Sequence, residues 1–455
     1  MTRLLVECTH VFLHPKVNSG IQRVVRNVVN QLPPSVDGVE CIPVVMLKGK
    51  LHRVLQLGSL NIPFFDTLMT FAGRLQRLAH RFWQWHKRLD KRCTSRWVRR
   101  CLYVAYRFTA LACFSVPLRL IDQVNQYQLP KRCTPLQHQP GDQLVLLDSS
   151  WHADFFPAAE QLKREGVGIV SVIYDLIPVT HPQFYDTRLA QVFNDWFDWI
   201  VNTADGYVAI SATVRDQVRE EIERRLGPVK TEERWFDYFH LGSELDLSEA
   251  SAAVEPRLAR LFETTEPVFL MVSTIEPRKN HGYLLDAFER AWAAGSRARL
   301  CIAGRIGWKC EALLARVRAH PQLNKQLFMF NDLSDTSLEH AYSNASVLVF
   351  PSHVEGFGLP LVEAMQRGLP AMGSDIAVFR EIGGEFMAYF DLNTPQSLAD
   401  LVGNFERSGL FPASRDVKDW RWIGWREASA QLAERTLRNL QPAPVVQERQ
   451  HADCP

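Results

Sequence analysis

The sequence predicts an α/β protein made of two doubly wound domains. Short apolar runs of strand length recur along the chain, each followed by turn residues and a helical pattern. They fall into two series, one before residue 245 and one after Pro267. The 455 residues also exceed what one hydrophobic core holds, since single cores stop growing at roughly 250–300 residues.

Taken in order, Leu4–Val6 reads as the first strand. A loop ending at Gly20 follows, and then Ile21, Val24, Val25, Val28, Val29 and Leu32 recur at helical spacing. Leu144–Leu147, Gly168–Ile173 and Gly206–Ile210 supply further strands of a first domain, residues 1–245. Within it, residues 51–139 are basic, lack a clear strand signal and read as a helical insertion. The polar stretch Leu245–Leu258 is the linker. A second domain, 246–415, carries strands at Val268–Val272, Leu300–Ala303, Val347–Phe350 and Leu369–Met372. Trp420, Trp422 and Trp425 introduce a helix that packs back on the body over 416–440, and residues 441–455 read as a disordered tail.

Composition narrows the function classes. A net charge of +2 does not advertise a nucleic-acid partner. Nine scattered cysteines without a Cys-x-x-Cys pair favour reduced thiols and a cytoplasmic location, and the first residues do not form a signal peptide. The most apolar stretch, Leu102–Val116, contains Arg107 and falls short of the roughly 20 residues of a spanning helix, so no transmembrane segment is expected.

The chemistry concentrates in Phe350-Pro351-Ser352-His353-Val354-Glu355-Gly356-Phe357-Gly358-Leu359-Pro360-Leu361-Val362-Glu363-Ala364-Met365, which joins a strand end, a glycine loop and a helix start. Backbone N–H groups in such a loop approach phosphate oxygens closely, and the helix N-terminus attracts anions. Two carboxylates frame it, Glu355 in the loop and Glu363 just inside the helix. By itself Glu363 also suits a charge that complements a helix end. The pair Arg278-Lys279 supplies cations for a departing diphosphate, a reading favoured over a solvated basic pair by its place straight after a strand and Glu-Pro.

Two glutamates seven residues apart around Gly-Phe-Gly-Leu-Pro resemble the signature of the family 4 (group 1) retaining glycosyltransferases of the GT-B fold. Resemblance extends to Ser273-Thr274-Ile275-Glu276-Pro277-Arg278-Lys279-Asn280, to Phe379-Arg380-Glu381-Ile382-Gly383-Gly384 and to Ser19-Gly20-Ile21-Gln22-Arg23. It implies two Rossmann-like domains facing across a cleft, the first for the acceptor and the second for the donor nucleotide. It also implies that Glu363 binds the donor ribose and that Glu355 lies by the transferred sugar. Gly358, Leu359 and Pro360 then contact sugar and phosphate through their backbone, Gly356 and Phe357 belong to the same donor-binding loop, and Lys279, with Arg278, binds the diphosphate. Gly304 and Arg305 fall where the family places part of its base pocket, with Trp308 either there or in ordinary packing. Where many relatives carry Gly-Arg this chain has Ser273-Thr274, so Arg278 or another cation must serve as the second phosphate ligand. Gly20 sits in the loop that approaches the diphosphate from the other domain.

On the acceptor side Asp175 follows the Gly168–Ile173 strand at a carboxyl end, where open α/β sheets bind ligands, and it serves there or as a cap of the next element. Trp151-His152 is a second candidate cluster. The expected donor is a nucleoside-diphosphate sugar, GDP-mannose or a GDP-deoxyhexose first, held without a metal or other cofactor. The expected acceptor is a saccharide, free or lipid-linked, in O-antigen or polysaccharide assembly. The alternative is a non-catalytic sugar-nucleotide-binding scaffold. From Arg74 to Arg107 cations and aromatics interleave against the single acid Asp90, which suits an anionic membrane surface or a solvated helical insertion.

Overall fold

The computed structural model describes residues 2–15, 20–57, 95–126, 129–149, 151, 155–244, 253–331 and 333–440, with scattered helical residues between 71 and 89. His152 and residues 441–455 lie outside the described residues.

The first half folds around a nine-stranded sheet: β1 (Arg3–Glu7), β2 (Ser35–Val36), β3 (Val39–Leu47), β4 (Lys50–Val54), β5 (Cys133–Pro135), β6 (Gln143–Leu146), β7 (Gly168–Ile173), β8 (Gly206–Ala209) and β9 (Trp235–Tyr238). Its order is β5-β4-β3-β1-β6-β7-β8-β9, with β2 beside β3. Strands β3, β1, β6, β7, β8 and β9 run parallel, whereas β2, β4 and β5 pair antiparallel at one edge. The central strands are buried on both faces, hence their continuous apolar runs.

The second half holds β10 (Val268–Val272), β11 (Arg299–Ala303), β12 (Leu327–Phe330), β13 (Val347–Phe350), β14 (Ala371–Ser374) and β15 (Ala388–Phe390), all parallel, in the order β12-β11-β10-β13-β14-β15. Strand order therefore reverses between β10 and β13. In the first sheet it reverses between β1 and β6. Crevices open at the carboxyl ends of strands at such switch points. The last helix, Trp425–Arg438, returns to the first half. There Ser429 Oγ donates to Val28 O at 3.0 Å and Arg438 pairs with Asp237 at 2.5 Å.

Two expectations need correction. Residues 51–139 do contain strands, because β4 and β5 pair with each other, Val54 opposite Cys133. Their alternation is too short to stand out, and the excursion proper leaves the sheet only after Val54. The apolar stretch inside it is also longer than expected. Helix Arg96–Ala110 passes through a wide turn at Leu111–Ser115 into helix Val116–Gln126. The 25 residues Trp97–Ile121 are long and apolar enough to cross a membrane by length and composition. Arg107 does not interrupt this helix because its side chain is exposed. Pro117 is accommodated by the wide turn, where Val116 N–H reaches back to Leu111 O.

Candidate functional site

The site assembles at the switch point of the second sheet. Directly after β10, Arg278 and Lys279 stand in a tight turn, Pro277–Lys279, and Asn280 takes a left-handed conformation (φ 57°) that lets helix His281–Ala293 begin. Directly after β13 comes the glycine loop. Gly358, at φ 105°, turns the chain into helix Leu359–Gln366, whose first turn carries Pro360.

Glu355 joins these two segments. It is 7% exposed and accepts hydrogen bonds from Arg278 Nη1 at 2.6 Å, from Ser352 Oγ at 2.7 Å and from the Lys279 ammonium. Arg278 also places its Nε 2.6 Å from Glu276, an ion pair without hydrogen-bond alignment. Lys279 sits over the Phe350 ring, 4.8 Å from its centroid. Burial pushes the Glu355 carboxyl up, but Arg278 and Lys279 more than offset this and hold it at about 2. Burial lowers the Lys279 pKa, with Arg278 adding to the effect.

Glu363 is almost wholly buried. One oxygen accepts from Tyr342 Oη at 2.8 Å and the other from Arg23 at 2.5 Å, across the cleft. The two halves also meet at Gly356, where an added Cβ would lie 2.2 Å from Tyr174 O, and where Ser211 Oγ donates to the glycine carbonyl at 2.8 Å. Asp175 stands at the same contact. It accepts from Ile177 N–H at 3.0 Å, so it caps the next turn, and burial raises its pKa while neighbouring Arg278 opposes the rise. Farther along the cleft, Trp308 Nε1 donates to Phe184 O at 2.8 Å and stacks on Tyr185, which makes it a bridge between the halves.

The structure thus brings Glu355, Arg278, Lys279, Asp175, Gly356, Gly358, Leu359 and Glu363 to one place. Gly304 lies behind them, where an added Cβ would meet Ser273 O at 1.7 Å. Three more of the expected ligand residues have the following surroundings. The Phe357 side chain is buried beside His240 and Trp422 as an anchor of the loop. Arg305 is exposed, and its carbonyl accepts from Ile275 N–H. Gly20 has nothing within 4 Å of its would-be Cβ; what its helix delivers to the cleft is Arg23. Arg23, Ser352 and Glu276 stood inside the recognised motifs without being singled out. Tyr342 carries no local signal, because its partner is 21 residues away. A buried acid pair at the carboxyl ends of β1 and β6 was also missed. Burial and neighbouring Asp148 push Glu7 up to about 7, while Asp148 accepts from Val11 N–H and Ser149 N–H, each at 2.7 Å.

Comparison with known proteins agrees with this geometry. Residues 257–416 match the family model described as glycosyl transferases group 1. The chain is 33% identical over 319 residues to the serotype-specific mannosyltransferase WbdA of Escherichia coli, an alignment covering 68% of this chain and 38% of that protein. It is 30% identical over 131 residues to the O-antigen chain mannosyltransferase B of Escherichia coli, covering 29% and 34%. The chain therefore spans well under half the length of the WbdA relatives it matches. Among solved structures, Anabaena Alr3699/HepE in complex with UDP and glucose superposes with a TM-score of 0.55 at 11% identity, covering 96% of this chain and 100% of that one. Sucrose-phosphate synthase from Thermosynechococcus elongatus gives 0.51 at 15%, covering 97% and 99%. These likenesses establish the GT-B fold. The match to the glycosyl transferases group 1 falls on the domain that holds Glu355, Glu363, Arg278 and Lys279, so it is residues 257–416 that are similar to that family.

Proposed function

We propose that the protein is a retaining glycosyltransferase that moves a hexose, mannose first, from a nucleoside-diphosphate sugar to a saccharide acceptor in O-antigen or related polysaccharide assembly. The observation that carries this reading is the Glu355 cluster, a buried carboxylate fixing two cations at a switch point beneath a glycine loop. The mannosyltransferase names of the relatives support the choice of sugar. In this reading Glu363 takes the ribose hydroxyls. The diphosphate lies between Lys279, Arg278 and the N-terminus of helix Leu359–Gln366, and these cations take the place of a metal.

Transfer then breaks the bond from the sugar C1 to the phosphate oxygen and forms the bond from C1 to the acceptor oxygen on the same face. The acceptor proton passes to the departing phosphate. Asp175 lines the acceptor side and Glu355 the sugar. A GDP-sugar is the first candidate donor, and a lipid-linked saccharide is the acceptor that polysaccharide assembly would present at the cytoplasmic side of a membrane. A purely binding scaffold is disfavoured by the mannosyltransferase names of the relatives.

The test is a binding and hydrolysis screen of the protein against GDP-, UDP-, dTDP- and ADP-sugars in the presence of EDTA, repeated with Glu363→Ala and Lys279→Ala. One nucleotide class should bind without metal and both variants should lose it. Equal binding by the variants would remove the cleft from consideration.

A further inference from the structure

The helix running from Trp97 to Ile121 is the largest feature that the cleft does not use. Its apolar window has no residue buried against the body. Trp97 is 78% exposed, Phe108 72%, and Val104 and Leu111 about half. At 100° per residue these four share one face, and Arg100 and Arg107, seven residues apart, run beside it. No acid occurs between Asp90 and Asp122, while Arg96, Arg99, Arg100, Arg107 and Arg119 all fall in that interval. The opposite side is occupied: Tyr106 stacks on Phe82 at 5.4 Å and on His86 at 4.1 Å, and Phe114 meets Phe82 at 5.7 Å.

Topology decides how such a helix meets a bilayer. Because β4 and β5 are hydrogen-bonded neighbours, the excursion starts and ends on one side of any membrane. A single crossing is therefore excluded. A second crossing would have to use the chain before residue 96, where the apolar run Leu57–Gly73 is shorter than the roughly 20 residues of a span and carries Asp66, and a longer segment takes in Arg74, Arg77 and Arg81, each at a cost of about 2.5–3.5 kcal/mol at the bilayer centre. Lying in the interface keeps every arginine at the headgroups and still buries the apolar face.

We propose that the Trp97–Ile121 helix lies in the plane of an anionic bilayer surface, with Trp97, Val104, Phe108 and Leu111 at the boundary of headgroups and acyl chains and Arg100 and Arg107 against lipid phosphates. The inference rests on this helix alone and is independent of the donor and the chemistry assigned to the cleft. Flotation of the full chain with phosphatidylcholine vesicles, with and without phosphatidylglycerol, tests it. The protein should float with the phosphatidylglycerol vesicles and remain behind with pure phosphatidylcholine. Arg100→Ala and Arg107→Ala should each weaken partitioning about fivefold. Phe108→Glu with Leu111→Glu should weaken it more than tenfold, roughly the loss expected for two apolar side chains, without moving the thermal midpoint, since both side chains are exposed. Failure to float, equal binding to pure phosphatidylcholine, or a double variant that floats like the parent overturns the proposal. So does light scattering in which the double variant turns a dimer into a monomer while vesicles bind neither protein, because the face would then join two copies of the chain.

Discussion

Glu355→Gln keeps the shape of the side chain and removes the charge that Arg278 and Lys279 share. The carboxyl is held at about 2 against an ordinary value of 4.5. At 1.36 kcal/mol per unit this corresponds to about 3 kcal/mol of native-state stability, an order of magnitude for a buried cluster. The folded-state value lies below the unfolded one, so this contribution is complete above about pH 4.5 and disappears as the pH falls toward 2. Asp175 and Glu276 act in the opposite sense, since burial raises both. The slope of the parent alone therefore understates the effect, and the difference between parent and variant isolates it. A chain of two domains need not unfold in one step. The suitable readout is amide hydrogen exchange over β13 and the glycine loop, at pH 7 and again near pH 3. Protection should fall in the variant by about 3 kcal/mol at pH 7, with the gap closing at the lower pH. A variant as protected as the parent, or a gap that ignores pH, would refute the claim that these two cations hold Glu355 ionised.

Arg23→Ala leaves Glu363 buried and still accepting from Tyr342 but without its cation. Breaking a buried pair costs about 3–5 kcal/mol, so the two halves should separate more readily, visible as a larger radius of gyration in solution scattering; an unchanged radius counts against Arg23 as the latch. Gly356→Ala places a methyl 2.2 Å from Tyr174 O. It should abolish the close approach of the halves and reduce sugar transfer roughly hundredfold, as for a lost transition-state contact, while circular dichroism stays that of the parent.

The sequence made the central strands and the donor loop legible for the same reason. Strands such as β10 and β13 are buried on both faces and read as unbroken apolar runs. The loop carries glycines, a proline and two acids at fixed short spacing, so its pattern is local. What escaped was set by partners far along the chain. β3 contains Glu40 and Pro43, yet Pro43 fits because β2 pairing ends at Glu40 and β4 pairing begins at Val44, leaving that side of the proline without a ladder partner. β9 carries Asp237, whose partners Arg438 and Asn439 come from the last helix. β15 spans three residues, too few for any period to show. In the site the same division holds: Lys279 and Glu355 could be named from motifs, but the pairing of Glu363 with Arg23 joins residues 340 apart, and no pattern in one segment encodes it.

That long-range pair bears on how a donor enters. The cleft is already electrically matched, with Glu355 and Glu276 against Arg278 and Lys279 and Glu363 against Arg23. Burial opposes the charge on Arg23, and the carboxylate of Glu363 sustains it. A ligand that only added negative charge would have to leave Glu363 buried without its cation, which is costly in a low-dielectric site. On the proposed reading a nucleoside diphosphate sugar would bring both halves of the exchange: ribose hydroxyls would donate to Glu363 in place of Arg23, and phosphate oxygens would receive the released guanidinium. On the proposed reading, donor binding therefore swaps one set of charge-assisted hydrogen bonds for another. It follows that a nucleoside without phosphates, or an inorganic diphosphate without ribose, should each bind far more weakly than the joined molecule, because either alone leaves one member of the Arg23–Glu363 pair buried and unmatched.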